Sequence, residues 1–228
     1  VDSIKRSNIK FINPCSLEYF DRKSLDRLRK KFDNVPLNSR AALFFENDID
    51  QHAEYDTSLN VWFDFLNDNN VLLTDSWFAQ SPSDSKRFHH FRHALPVLIN
   101  EENSRLGRLK IGTDMAVPDD CLLSMMEFYM DELEESEVDF VVFGHLGDNH
   151  LHINLLPDAN QVEMAYGIYE KLVQQILKWK GTVSAEHGIG KLKKKYFLQM
   201  VGESSLNELR KVKKIFDPRF ILGKGNIF

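Results

Sequence analysis

Two short apolar runs, Phe140-Val-Val-Phe-Gly and Leu151-His-Ile-Asn-Leu-Leu, flank the turn residues Gly147-Asp148-Asn149. Each run suits a strand, and the Gly, Asp and Asn between them supply the backbone freedom of a turn, so the pair predicts a β-hairpin. A hairpin alone cannot bury its apolar face. The rest of the chain offers the missing cover. Ala41-Ala-Leu-Phe-Phe-Glu reads as a buried strand ended by Asn47-Asp48, Val71–Thr74 as another, and 108–117 as an alternating segment stopped by Pro118. Helical spacing marks 16–31 (Leu17, Phe20, Leu25, Leu28) as one amphipathic helix, and 57–67 and 81–100 as others, the last broken or kinked at Pro96. Asp119 or Asp120 caps a helix carrying Leu122, Met126, Met130 and Leu133. A long helix aligns Val162, Ala165, Tyr169, Leu172 and Ile176, and Ser205 with Glu208 forms a capping box before a last one. Strands and helices alternating over short connections predict an α+β fold: an antiparallel sheet with helices packed on one face, in two ferredoxin-like lobes. The polar segment 76–90 is the expected loose connection.

With 228 residues and 43% hydrophobic content, the chain can bury one substantial core or two small lobes. Asp and Glu (34) outnumber Lys and Arg (29), the opposite of the basic stripe of a nucleic-acid binder. No apolar run reaches the length of a membrane span. The two cysteines, Cys15 and Cys121, lie outside any C-x-x-C pattern and are expected to be ordinary core thiols of a reduced compartment. Localisation is therefore expected to be cytoplasmic, with peripheral attachment at the inner membrane face allowed. The opening Val1-Asp2-Ser3, without an initiator Met, suggests a fragment of a longer protein.

Chemistry concentrates in two segments. In Gly144-His145-Leu-Gly-Asp-Asn149-His150-Leu-His152-Ile-Asn154, His145 ends one predicted strand and His152 begins the next, as a first half of a transition-metal site would require. In Ser184-Ala-Glu186-His187-Gly-Ile-Gly, a carboxylate neighbours an imidazole before two turn-forming glycines. Glu186 would complete a His/His/Glu set with an open position, and His187, pointing elsewhere, can act as a base. Structural histidines remain the bland reading of the same pattern.

These two segments, with Lys214-Ile-Phe-Asp-Pro and weaker blocks at Leu17-Glu-Tyr-Phe-Asp-Arg, Phe91-Arg-His-Ala-Leu-Pro and Gly112-Thr-Asp-Met-Ala-Val-Pro, resemble the C-terminal region of the FAD-linked oxidase family in order and spacing. That family includes bacterial D-lactate dehydrogenases, glycolate oxidase FAD subunits and D-2-hydroxyglutarate dehydrogenase. The resemblance implies that residues 1–228 form its C-terminal substrate and metal (cap) domain, and that the N-terminal FAD-binding domain lies outside this chain. It implies a divalent metal, Zn or Mn, on His145, His152 and Glu186. His187 is implied as the base that takes the proton of the substrate's 2-hydroxyl, Asn154 as a residue beside the bound hydroxyacid, and Arg92 as the partner of its carboxylate. A D-2-hydroxyacid would lose hydride to FAD, with electrons passing on to a quinone, a flavoprotein or an iron–sulfur partner.

This chain departs from the family pattern in places. Gly-Asp-Gly-Asn-Leu-His appears here as Gly147-Asp148-Asn149-His150-Leu151-His152, which adds an imidazole of open role on the same face as His152. Some relatives carry a lysine where this chain has Gly112, and the usual Asn-Pro-Gly-Lys ending becomes Gly223-Lys-Gly-Asn. No G-x-G-x-x-G or P-loop is present, so the fragment alone is expected to hold no FAD tightly. The lysines at 191 and 193–195 read as a solvated face sooner than as a site for an anionic partner or FAD phosphate. His89 and His93, spaced i, i+4 on one predicted helix with His90, suit metal binding or a plain helix surface equally. Two other readings stay open: a stand-alone metal-dependent hydrolase, and a non-catalytic ferredoxin-like binding module.

Overall fold

A computed structural model describes residues 2–49 and 54–228. The chain divides into two compact units, one of residues 1–106 and 142–147, the other of 107–141 and 148–228. Among the described residues are α1 (Asp2–Lys5), β1 (Ser16–Asp21), α2 (Arg22–Arg29), β2 (Ala41–Glu46), α3 (Tyr55–Asp68), α4 (Pro82–Leu106), β3 (Ile111–Gly112), β4 (Met115–Ala116), α5 (Leu122–Glu134), β5 (Phe140–His145), β6 (His150–Leu155), α6 (Val162–Lys178) and α7 (Lys194–Phe216). Every strand pair within a unit is antiparallel, and the chain is α+β as expected.

In the first unit β1 pairs with β2 on one side and with β5 on the other. Side chains alternate across this sheet. Phe20 meets Phe91 of α4 edge to face at 6.0 Å, and Phe44, opposite Glu18, faces His89 of the same helix. Phe45, opposite Leu17, points the other way and stacks on Trp62 of α3 at 4.1 Å. Helices thus cover both faces of this sheet, where the sequence predicts one.

The segment 16–31 is a strand followed by a helix, not one helix. Asp21 switches the chain between them: its backbone is extended and its Oδ1 accepts the Ser24 N–H at 2.7 Å, which caps α2. Residues 71–74 form no strand; Leu73–Asp75 is a 3₁₀ turn, and Leu72 is exposed. α4 passes through Pro96 without ending, with Pro96 on its exposed side. Much of the expected loose segment 76–90 is the first part of α4. Cys15 is exposed and not a core thiol. No helix of the described residues is long and apolar enough to cross a membrane.

In the second unit, β6 is buried along its whole length and pairs with β3 and β4. α5 and α6 supply most of its remaining core: Leu122, Met125, Tyr129 and Leu133 from one, Ala165, Ile168, Leu172, Val173 and Ile176 from the other. Met125 and Tyr129, not Met126 and Met130, lie on the inward stripe, since that stripe follows 122, 125, 129 and 133. Asn149 has φ 52°, the left-handed turn its short polar side chain tolerates.

After α6 the chain turns back along β4, with Thr182 and Ala116 exchanging both backbone hydrogen bonds (3.2 and 2.9 Å). Gly181 permits that approach, because a Cβ there would sit 2.4 Å from the Ala116 carbonyl oxygen and 2.8 Å from Ile176 Cγ2. Backbone cannot yield as a side-chain tip can. Gly181→Ala is expected to cost about 1–3 kcal/mol as overpacking does. Urea denaturation checks it, and an unchanged midpoint would mean that the 181–187 segment is not held against β4.

Candidate functional site

In the first unit, register builds a polar cluster. Glu18 on β1 lies directly opposite His145 on β5, so both side chains leave the same face of the sheet. It is the face covered by α4, whose Arg92 reaches the same carboxylate through Nη2. Glu18 is 5% exposed and accepts a hydrogen bond from His145 Nδ1 at 2.9 Å. Burial raises the Glu18 carboxyl, and the hydrogen bond and charge of His145 with the Arg92 guanidinium outweigh it, holding the group below its ordinary value. In the neutral ring, a proton on Nδ1 towards Glu18 leaves the His145 lone pair on Nε2, the atom a metal would take.

The second unit holds His152, Glu186 and His187 together. His152, third residue of β6 and not its first, is 8% exposed. Its Nδ1 lies 3.2 Å from the carbonyl oxygen of Thr113, which can only accept, so the ring's lone pair is on Nε2. That Nε2 lies 3.3 Å from Glu186 Oε1, and His187 Nε2 is 3.3 Å from the same oxygen. The His152 and His187 rings run nearly parallel, 5.1 Å apart. Ligands of a tetrahedral Zn at about 2.1 Å stand about 3.4 Å from one another, so the His152–Glu186 separation suits a shared ion. Asp114, His152, Glu186 and His187 can each offer an atom within 4.8 Å of the others'. The nitrogen and oxygen donors match Zn or Mn. Asn154, two residues beyond His152, is on the same face of β6 and 8% exposed. It lies opposite Gly112, where a Cβ would stand 3.0 Å from its Oδ1. A side chain at 112 would therefore require the Asn154 amide to give by a few tenths of an ångström.

What fixes the Glu186–His187 segment is Asp114, 1% exposed beside β4. Its Oδ2 accepts from Lys193 Nζ (2.6 Å), Ser184 Oγ (2.7 Å) and the His187 N–H (2.9 Å), and its Oδ1 from the Glu186 N–H (3.2 Å). The Ala185 N–H adds a bond to the Asp114 carbonyl oxygen at 2.9 Å. Burial raises the Asp114 carboxyl, and Lys193, Ser184 and the His187 N–H together overcome that and hold it far below the usual carboxylate range. Lys193 is thus not part of a solvated lysine face; its side chain is 14% exposed and buried against a carboxylate. The sequence offered the Gly112-Thr-Asp block and a run of lysines, but no sign that they belong together. Glu18 was hidden in the same way. His89 and His93 stack at 6.4 Å and join no group of metal-ligand geometry among the described residues.

The match to known proteins runs the length of the chain. Residues 2–227 fit the family model "FAD linked oxidases, C-terminal domain". Glycolate oxidase subunit GlcD of Bacillus subtilis is 28% identical over 95% of this chain and 46% of its own length. A D-2-hydroxyglutarate dehydrogenase of Xanthomonas citri is 37% identical over 40% of this chain and 21% of its own, and the mitochondrial D-lactate dehydrogenase [cytochrome] of Kluyveromyces lactis 33% over 51% and 20%. The chain therefore spans less than half the length of the curated relatives it matches. Among solved structures, a 4-ethylphenol oxidase from Gulosibacter chungangensis superposes with TM-score 0.55 over 93% of this chain and 47% of that one, at 10% identity, which speaks for the fold alone. The motif order, the α+β fold and a family match over almost every residue agree, and the chain belongs to the FAD-linked oxidases, as their C-terminal domain.

Proposed function

We propose that this chain is the substrate- and metal-holding C-terminal part of a flavin-dependent dehydrogenase that oxidises a D-2-hydroxyacid to the 2-oxoacid. One observation carries the reading: a buried carboxylate clamps the 184–187 segment so that one oxygen of Glu186 lies 3.3 Å from Nε2 of both His152 and His187. The matched relatives are named for glycolate, D-lactate and D-2-hydroxyglutarate, which share a hydroxyl beside a carboxylate. A bound metal would polarise that hydroxyl and FAD would accept the hydride from C2.

This chain's own residues divide the remaining work. His152 and Glu186, with His145, would hold the metal, their ring nitrogens oriented by the Thr113 carbonyl and by Glu18. Arg92 presents a planar guanidinium suited to a carboxylate, and its bond to Glu18 aims it. Asn154 would contact the bound acid. His187, whose side chain is 59% exposed, would accept the hydroxyl proton. The flavin domain would come from the same protein, and the exposed Ile215, Phe216, Ile221 and Leu222 near the C-terminus form apolar surface it can cover. Electrons would then leave to an acceptor outside this chain.

Elemental analysis of the full-length, flavin-loaded protein is expected to return about one Zn or Mn per chain, lost in His152→Ala. Anaerobic mixing with D-lactate, glycolate or D-2-hydroxyglutarate is expected to bleach the flavin. A metal-free, folded protein would remove the metal from the proposal. A flavin unaffected by all three acids would sink the 2-hydroxyacid reading itself.

A further inference from the structure

His150 has no part in the site as set out above, yet it is among the most enclosed of the imidazoles, 4% exposed on β6. Strand alternation puts it on the same face as His152, two residues away. The two rings meet edge to face at 4.4 Å. His150, His152 and Glu186 can each offer a ligand atom within 4.8 Å of the others'. Across the strand its partner is Ala116, too small to compete for the space. Its Nε2 stands 3.1 Å from Asp114 Oδ1, the carboxylate that also holds the Glu186 and His187 N–H groups. The contact is an ion-pair distance and not an aligned hydrogen bond, but the carboxylate's charge beside Nε2 favours a proton there and leaves the ring's lone pair on Nδ1.

We propose that His150 is a further imidazole ligand of the metal held by His152 and Glu186, with the Asp114 carboxylate beside its other ring nitrogen. The inference rests on the metal reading of the proposed function. Its consequence is selectivity. An extra imidazole favours Zn and Co over Mn, whose preference is for oxygen donors. One carboxylate would then couple the geometry of the metal to that of His187, since Asp114 touches both His150 and the His187 backbone.

The test uses Co²⁺, Zn²⁺ and Mn²⁺ added singly to the metal-stripped full-length protein, wild type and His150→Asn. Asparagine keeps a donor for Asp114 and removes the imidazole. Expected in the variant are a changed visible Co²⁺ spectrum and a loss of about tenfold or more in Co²⁺ and Zn²⁺ affinity, with Mn²⁺ affinity nearly unchanged. The same spectrum and the same Co/Mn preference would overturn the ligand role and leave the metal site standing. A wild type that takes up none of the three ions would overturn both. If that variant does not fold, His150→Gln with the same three ions decides the matter: a loss of about tenfold for Co²⁺ and Zn²⁺ with Mn²⁺ unchanged supports the inference, and unchanged affinities reject it.

Discussion

Replacing Asp114 with alanine is expected to cost about 3–5 kcal/mol of folding stability, the range for removing one partner of a buried ion pair. The comparison with the chain's other ion pairs explains the size. Lys211 and Glu208 pair at 2.7 Å with side chains 72% and 69% exposed, and such a pair contributes about 0–1 kcal/mol. Asp114 is 1% exposed and the Lys193 side chain 14%, so deleting the carboxylate strands an ammonium where water scarcely reaches. It also strips the acceptor from the Glu186 and His187 N–H groups. Chemical denaturation at neutral pH measures the loss. Asp114→Asn, which keeps an acceptor but not the charge, is expected to fall between wild type and alanine.

The pH dependence has a definite sign. The folded Asp114 carboxyl titrates below its unfolded value, so its contribution is present above the ordinary carboxylate range and is lost as pH falls from about 4 downward. The stability difference between wild type and Asp114→Ala should therefore narrow on acidification. A constant difference down to pH 3 would mean that the carboxylate's charge contributes nothing and the effect is one of shape.

Contiguity decides how much of the site the sequence reveals. His152, Glu186 and His187 sit inside short motifs whose residues act together, and they are legible for that reason. Glu18 is not, since its partners Arg92 and His145 lie 74 and 127 residues away and only strand register brings them to it. Lys193 looks like its neighbours in a lysine run until Asp114, 79 residues earlier, is placed beside it. The same distinction governs the fold. The strands at 41–46 and 140–145 and the helix at 162–178 announce themselves through local apolar pattern. Residues 16–31 mislead because Leu17, Phe20, Leu25 and Leu28 satisfy a helical spacing while the first two belong to a strand fixed by its pairing with 41–46. Residues 71–74 mislead in the opposite sense: an apolar run becomes a strand only where a sheet edge receives it, and none does.

Removing the His187 side chain is expected to separate activity from stability completely. With 59% of that side chain exposed and its anchoring made by backbone, through the N–H on Asp114, His187→Ala should change stability by no more than about 0.5 kcal/mol. Turnover of a D-2-hydroxyacid by the flavin-loaded full-length protein should nonetheless fall about 10²–10⁴-fold, the range for loss of a positioned general base. On a scale of about 1.4 kcal/mol per decade that is about 3–5 kcal/mol of barrier, comparable to the whole folding cost of losing Asp114. KM should move little, because Arg92 and Asn154 carry the proposed binding. Added imidazole should restore part of the rate, since the variant leaves an open space beside Glu186 that a free base can enter. Asp114→Asn, by contrast, should lose rate without rescue, because its His187 ring is present and misplaced. If His187→Ala turned over within a few-fold of wild type, the proton would have to leave through another group, and Glu186, 3.3 Å from the His187 ring, would be the one to replace next.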